Sequence, residues 1–312
     1  MIGAVDIGGT KLALGVVDDH GRVLEKDEVP TNVGRGFDHA MQEIGTLLRG
    51  CAARAGVKLL GIGIGCTGQV DAVTGTLGEV HNLPGWKGGN PVLSLSRQFG
   101  VPVALENDAD AAALGELYWG SGKSRTPMIY VTVGTGIGVS VILDGKIYRG
   151  AGQCHPEIGH QVIDPAGPLC TCGVRGCWES LASGPAMVAW IEGHVPRSYP
   201  RESLTAREVC SRAEGGDEWA RRAVEHVGYY LAVGLANLVN IFAPQTVALA
   251  GSVMKSAPLF LDRIREVVQQ NCKLVPHEGI EITLASLGPD GVLIGAAQVW
   301  HHRFERCGGR IE

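Results

Sequence analysis

No run of basic residues occurs in this chain, and none is interleaved with its six tryptophans. With 27 Lys and Arg against 32 Asp and Glu the formal net charge is −5, which argues against nucleic acid as a partner. No apolar stretch is long enough to span a bilayer, so no membrane partner is expected. The start, Met1-Ile2-Gly3-Ala4-Val5-Asp6, runs straight into a strand and carries no charged leader with a cleavage site. The cysteines show no C-x-x-C redox pair, and their unpaired look fits a reducing compartment. These absences together point to a cytoplasmic location. Charged residues make up a modest 19%, while 45% apolar content over 312 residues gives core for two ordinary domains or one large one. Glycine, at 46 residues, is plentiful and gathers at strand ends, where close approach to a ligand is the usual reason.

The densest chemistry lies in Glu157-Ile158-Gly159-His160 and Cys170-Thr171-Cys172-Gly173-Val174-Arg175-Gly176-Cys177-Trp178-Glu179. Cys170 and Cys172 are too close for a relaxed disulfide. A DNA-binding zinc finger would need a His-x-His half and a basic helix, which are missing. Three thiolates and the His160 imidazole instead make a closed four-ligand set of the kind a structural zinc takes. Glu157 and Glu179 bracket that set, so a metal there would fix two carboxylates, and a fixed pair can grip a polyol. The other six cysteines (51, 66, 154, 210, 272 and 307) are scattered and read as buried thiols.

Strands at 2–7, 12–17 and 22–29, with a turn at Gly8-Gly9-Thr10, form a three-strand meander. A helix fits 38–55, with Ala40, Ile44, Leu47, Leu48 and Cys51 on one face. A strand at 59–65, a short helix near 92–99, a strand at 101–106 and an Ala-rich helix at 109–118 follow. A second meander then starts, with strands at 128–133, 138–143 and 146–149 and a turn at Gly134-Thr135-Gly136. Beyond the Cys/His segment the pattern predicts helices near 184–192 and 217–242, a strand at 246–250, a helix at 258–272, a strand at 280–284 and a last helix at 292–302. The tail from Glu305 reads as untethered. The two Gly/Thr turns expose backbone N–H groups to an anion. Each leads into a strand, which excludes the Rossmann and Walker loops, since those lead into helices. An α/β architecture built twice, with a cleft between halves, is expected.

Asp6-Ile7-Gly8-Gly9-Thr10-Lys11, Glu106-Asn107-Asp108-Ala109, Gly134-Thr135-Gly136-Ile137-Gly138, Glu157-Ile158-Gly159-His160 and the three-cysteine segment resemble, in order and spacing, the ROK family (repressor, open reading frame, kinase), and within it the glucokinase-like, zinc-containing branch. The resemblance runs from Met1 to about His302. It implies the two-domain, actin-like (ribonuclease-H-like) sugar kinase fold, closing over a sugar and ATP, and a homodimer. On this reading residues 1–107, joined by the C-terminal helix at about 290–303, form the small domain, and 108–289 form the larger one with the zinc insertion. Family repressors carry a helix-turn-helix ahead of the first motif, and with five residues before Asp6 none is expected here.

Carried onto this sequence, the resemblance makes Asp108 the general base that activates the 6-hydroxyl of a hexose, glucose first. Gly68, Asn82, Asn107, Asp108, Glu157, His160 and Glu179 are the implied sugar contacts. Asp6 is implied to hold magnesium through water, with Gly8, Gly9, Thr10 and Lys11 on the phosphates from one side and Thr135 and Gly136 from the other. Gly251 is implied on the adenosine side. His160, Cys170, Cys172 and Cys177 are the implied zinc ligands. Asp108 also stands where a helix cap would, and Gly251 where a helix-entry turn would. Two departures stand out: Val139-Ser140 where the family often continues with glycines, and Cys66-Thr67 where many glucokinases have a proline-bearing turn. Thr-Gly at that turn is closer to N-acetylmannosamine kinases, so N-acetylmannosamine or N-acetylglucosamine is the alternative substrate, and a non-catalytic sugar-sensing regulator the alternative of another class.

Overall fold

The computed structural model describes residues 1–80, 82–202, 204–275 and 279–304. The chain opens with β1 (Ile2–Ile7), β2 (Lys11–Val17) and β3 (Val23–Pro30), paired antiparallel in sequence. Helix α1 (Phe37–Ala55) stops at Gly56, whose φ of 66° lets its N–H reach the carbonyls of Ala52 and Ala53. Next come β4 (Gly61–Cys66) and a small hairpin of β5 (Val70–Asp71) and β6 (Thr76–Leu77). In α2 (Pro91–Phe99) the Asn90 side chain accepts from the Leu93 N–H, with proline at the first helical position. Then β7 (Val103–Asn107) runs directly into α3 (Asp108–Trp119).

The first sheet has the order β3-β2-β1-β4-β7, with β1, β4 and β7 parallel. Alternation along β1 sends Val5 and Ile7 to one face and Ile2 and Ala4 to the other. On the first face they join Ala40, Met41, Ile44, Leu48 and Cys51 of α1 in the main core. Each fully buried Leu or Ile there contributes about 1.5–3 kcal/mol.

The second half runs β8 (Met128–Val133), β9 (Ile137–Leu143), β10 (Lys146–Ile147), α4 (Trp178–Ala182), α5 (Gly184–His194), α6 (Ala206–Glu214), α7 (Glu218–Phe242), β11 (Thr246–Ala250), α8 (Leu261–Asn271), β12 (Glu281–Leu284) and α9 (Gly291–Phe304). Its sheet has the order β10-β9-β8-β11-β12, with β8, β11 and β12 parallel. That order repeats the first sheet strand for strand, so the duplication expected from the two meanders is present. Both Gly/Thr turns lead into strands, β2 and β9.

Helix α9 covers the face of the first sheet opposite α1, with Leu293, Ala296 and Ala297 against Ile2, Ala4 and Val17. The approach is so close that a Cβ on Gly63 would collide with the Ala296 carbonyl, and one on Gly295 with the Ala111 carbonyl of α3. Contacts divide the chain into one unit of Met1–Ser124, Ser140–Pro156 and the chain from Ser286, and a second of Arg125–Val139 and Glu157–Ala285. This differs from a boundary at 107/108, because α3 stays with the first unit through its packing on α9.

Some elements differ from the sequence reading. Helix α6 is new: it buries only Val209, Cys210 and Ala213, too short a stripe to stand out. The helix expected at 258–272 is split, with a 3-10 turn at Val253–Leu259 that contains Pro258 and α8 starting at Leu261. The third strand of the second meander ends at Ile147, not Arg149. Cys154 is exposed, which corrects its reading as a buried thiol, since it follows a surface turn at Ala151–Gln153. Cys307 and the tail from Glu305 lie outside the described residues. Among the described residues no helix is long and apolar enough to cross a membrane.

Candidate active site

Parallel pairing sets Ile7, Cys66 and Asn107 level with one another at the C-terminal ends of β1, β4 and β7. Such strand ends are where open α/β sheets present groups to ligands. Asp6 stands one residue before that line and Asp108 one residue after it. The Asn107 side chain caps α3, its Oδ1 accepting from the Ala109 N–H at 2.9 Å, while its Nδ2 donates to the Gly68 carbonyl at 3.0 Å. Asn107 is therefore the cap, and Asp108 stands in the first turn, its Oδ1 accepting from the Ala109 N–H at 2.9 Å.

Burial pushes Asp108 above the ordinary carboxylate range, although the Ala109 N–H on its Oδ1 pulls the other way. Burial, with Asp108 as a neighbouring charge, lifts Asp6 from the ordinary 3.8 to about 7. The Cys66 thiol, buried and facing both carboxylates, is held well above its usual value. Two carboxylates in this state favour a proton or a cation close by.

The Gly8–Lys11 turn is closed by Gly8 N–H to the Lys11 carbonyl at 3.0 Å, and the Thr31 hydroxyl donates to the Gly8 carbonyl at 2.7 Å. Asn82 lies against Gly9. Thr10 is exposed, and Lys11 pairs with Glu28 at 2.8 Å at the surface.

One group was missed from sequence. The Arg149 guanidinium donates to both Glu106 and Asp110, which flank Asp108. His155 Nδ1 lies 2.7 Å from the same Asp110 oxygen. Burial alone would raise Asp110, but His155 and Arg149 hold it below the usual range. Ser140 on β9 pulls the same way, though neither its hydroxyl nor Asp110 Oδ1 makes a well-formed hydrogen bond. Glu106 is pushed up to about 7 by burial, with Arg149 opposing. The available signal was the pair of acids at equal distance from Asp108.

In the second unit, His160 ends a 3-10 turn, Ile158–His160, behind an exposed Glu157. The backbone bridges Val162 to Cys177 and Leu169 to Arg175, so the cysteine loop folds back on itself. His160 Nδ1 and Cys170 Sγ are 3.5 Å apart, as are the sulfurs of Cys172 and Cys177, and all four donor atoms lie within 4.8 Å of one another. Donors on a tetrahedral zinc, at about 2.0–2.3 Å from the metal, stand roughly 3.5–3.8 Å apart. The donor set thus fits a closed four-coordinate metal. Burial and the neighbouring thiols push Cys177 up to about 12, while the Val174 N–H helps hold Cys172 below its usual value.

Helix α4 leaves this loop, and Glu179 in its first turn accepts from the Ile137 N–H at 3.0 Å. Glu179 therefore braces the Gly134-Thr135-Gly136 turn in this structure. Thr135 is exposed. Gly251, at φ 96°, follows β11 and lies against the Val133 backbone, and Ser252 approaches Gly134. The structure thus groups Asp6, Gly8, Gly9, Gly68, Asn82, Asn107 and Asp108 in the first unit, and Thr135, Gly136, Gly251, Glu157, His160, Glu179 and the cysteines in the second.

The sequence profile of the ROK family matches residues 2–303. The chain belongs to the ROK family. It is 32% identical over 304 residues to a glucokinase of Halalkalibacterium halodurans, covering 93% of this chain and 92% of that one. It is likewise similar to the crystal structure of a ROK glucokinase from Streptomyces griseus in complex with glucose and AMPPNP, at 31% identity and TM-score 0.82, covering 96% of this chain and 98% of that one. The xylose repressor of Bacillus subtilis is 32% identical over 77% of this chain, which spans 61% of the repressor. The mixed α/β, actin-like fold of ROK kinases is the fold of this chain.

Proposed function

We propose that this chain is an ATP-dependent kinase that phosphorylates the 6-hydroxyl of a hexose, glucose first. The observation that carries this reading is the pair of half-buried carboxylates, Asp6 and Asp108, at the ends of β1 and β7 on either side of β4, each held above its ordinary range chiefly by burial. Similarity to glucokinases over nearly the full length supports it.

Asp108 accepts the proton of the sugar hydroxyl as that oxygen attacks the γ-phosphorus of ATP. Its elevated pKa suits the task, because a base works best when its pKa approaches the operating pH. Asn107 and Gly68, tied to each other, set the sugar side of the junction, with Asn82 beside the first phosphate turn. Gly8, Gly9, Thr10 and Lys11 approach the phosphates, which requires Lys11 to leave Glu28, an exposed pair worth about 1 kcal/mol or less. Thr135, Gly136 and Gly251 serve the nucleotide from the second unit. Glu157, Glu179 and His160 Nε2 bind sugar hydroxyls.

Asp6 would hold magnesium through water, and the ion when bound supplies positive charge to the phosphate oxygens. His160, Cys170, Cys172 and Cys177 would hold a structural zinc that stiffens the sugar-binding loop and takes no part in proton or phosphoryl transfer.

The test is sugar-dependent ADP release from Mg-ATP with glucose, mannose, N-acetylglucosamine and N-acetylmannosamine, zinc being supplied. Turnover chiefly on glucose bears the reading out. Preference for an acetamido sugar moves the substrate to the N-acetylhexosamines, as Thr67-Gly68 suggested. Silence on all four leaves a sugar-sensing regulator.

A further inference from the structure

We infer that Arg149 is a positioning residue for Asp108, its guanidinium stapling the end of β7 to the first turn of α3. The inference rests on the reading of Asp108 as the base. One nitrogen donates to Glu106, two positions before Asp108, and the other to Asp110, two positions after it. Asp110 is 1% exposed, Arg149 12% and Glu106 18%, so water does not loosen the bridge. His155 completes it by holding the same Asp110 oxygen at 2.7 Å.

A buried ion pair is a poor stabiliser, because desolvation offsets most of the attraction. What this one supplies is geometry. The planar fork bonds two elements at once, and a shift of either breaks a bond. A lysine ammonium cannot span both acids in the same way. The carboxylate at the pivot is the one whose aim at the hydroxyl governs the rate, and small misplacements of a reacting group cost large factors.

Glu106 and Arg149 also line a cavity of about 200 Å³, together with Leu114, Ile147 and Gln153. A small cation can therefore enter the space that a truncated Arg149 would leave. Replacing Arg149 by alanine is expected to lower kcat by about 10- to 100-fold with the sugar KM held within about threefold. Millimolar guanidinium is expected to restore part of kcat, and Arg149→Lys to recover less than the wild-type rate. A fall in kcat under tenfold overturns the inference, as does a matching rise in KM, or a loss that guanidinium does not recover. Should Arg149→Ala not fold, Asp110→Asn keeps the shape and is read by the same tenfold criterion on kcat. The two readings separate cleanly. A wild type inactive on every hexose removes the role of Asp108 and this inference with it. An active wild type silenced by Asp108→Asn, beside an unaffected Arg149→Ala, removes this inference alone.

Discussion

The carboxylates at the end of the first sheet and the thiols in the loop of the second unit are two clusters of ionisable groups, answered in different ways. At the sheet end the chain brings its own cation: Arg149 bridges Glu106 and Asp110, and His155 shares a hydrogen bond with Asp110. Asp6 and Asp108, separated by β4, form no ion pair among the described residues, and burial raises the pKa of each. At the cysteine loop, burial, a backbone N–H and the other thiols act on Cys172 and Cys177, with no lysine or arginine among these influences. The comparison teaches where a ligand is needed. Glu106 and Asp110 are bridged by an arginine within the fold, whereas the two carboxylates proposed for metal and sugar make no direct ion pair among the described residues.

Breaking the thiol side should have the largest effect. Cys177 is fully buried, and structural zinc sites contribute about 10 kcal/mol or more to folding of their loops. Cys177→Ser, or removal of metal by a chelator, is expected to abolish sugar turnover and lower the melting temperature. Metal analysis should give one zinc per chain before treatment, and a fully active zinc-free protein would contradict the assignment.

The carboxylate side is sharpened by Asp6→Asn. The folded-state pKa of Asp6, about 7, lies above its ordinary 3.8. Its contribution to stability is therefore complete below about 4 and is lost as pH rises through about 7. Without metal, Asp6→Asn should stabilise the protein by about 1–3 kcal/mol at pH 8 and by almost nothing near pH 4. Denaturant melts at the two pH values measure this, and an unchanged midpoint at pH 8 would show that Asp6 is not strained. The same variant should lose kinase activity.

The smallest effect belongs to the exposed pair of Lys11 and Glu28, 42% and 56% accessible. Glu28→Gln should change stability by less than about 1 kcal/mol. If Lys11 works on phosphates, the variant should leave KM for ATP unchanged or lower it, and a raised KM would mean that Glu28 holds Lys11 in its working position.

Much of this was legible from residue patterns. Period-2 strands, glycine turns and the Asn107-Asp108 junction are local signals, and local geometry preserved them. The Cys/His set was legible because its spacing alone restricts the chemistry. The Arg149 bridge was not, since it joins residues about 40 apart in sequence, and nothing near Arg149 marks a turn from strand into core. The hydrogen bond from the Ile137 N–H to Glu179 was not legible either. A side chain's partner depends on packing that no periodicity encodes. Helix α6 escaped because its buried stripe is only three residues wide.

The most direct test of the account is hexose-dependent ADP release by wild type and Asp108→Asn, with glucose binding to each followed by calorimetry. The account requires turnover by the wild type, a loss of about 10²–10⁴-fold in the variant, and glucose affinity kept within several-fold. A variant that turns over as fast as the wild type would contradict the assignment of Asp108 and, with it, the meaning given to the two carboxylates.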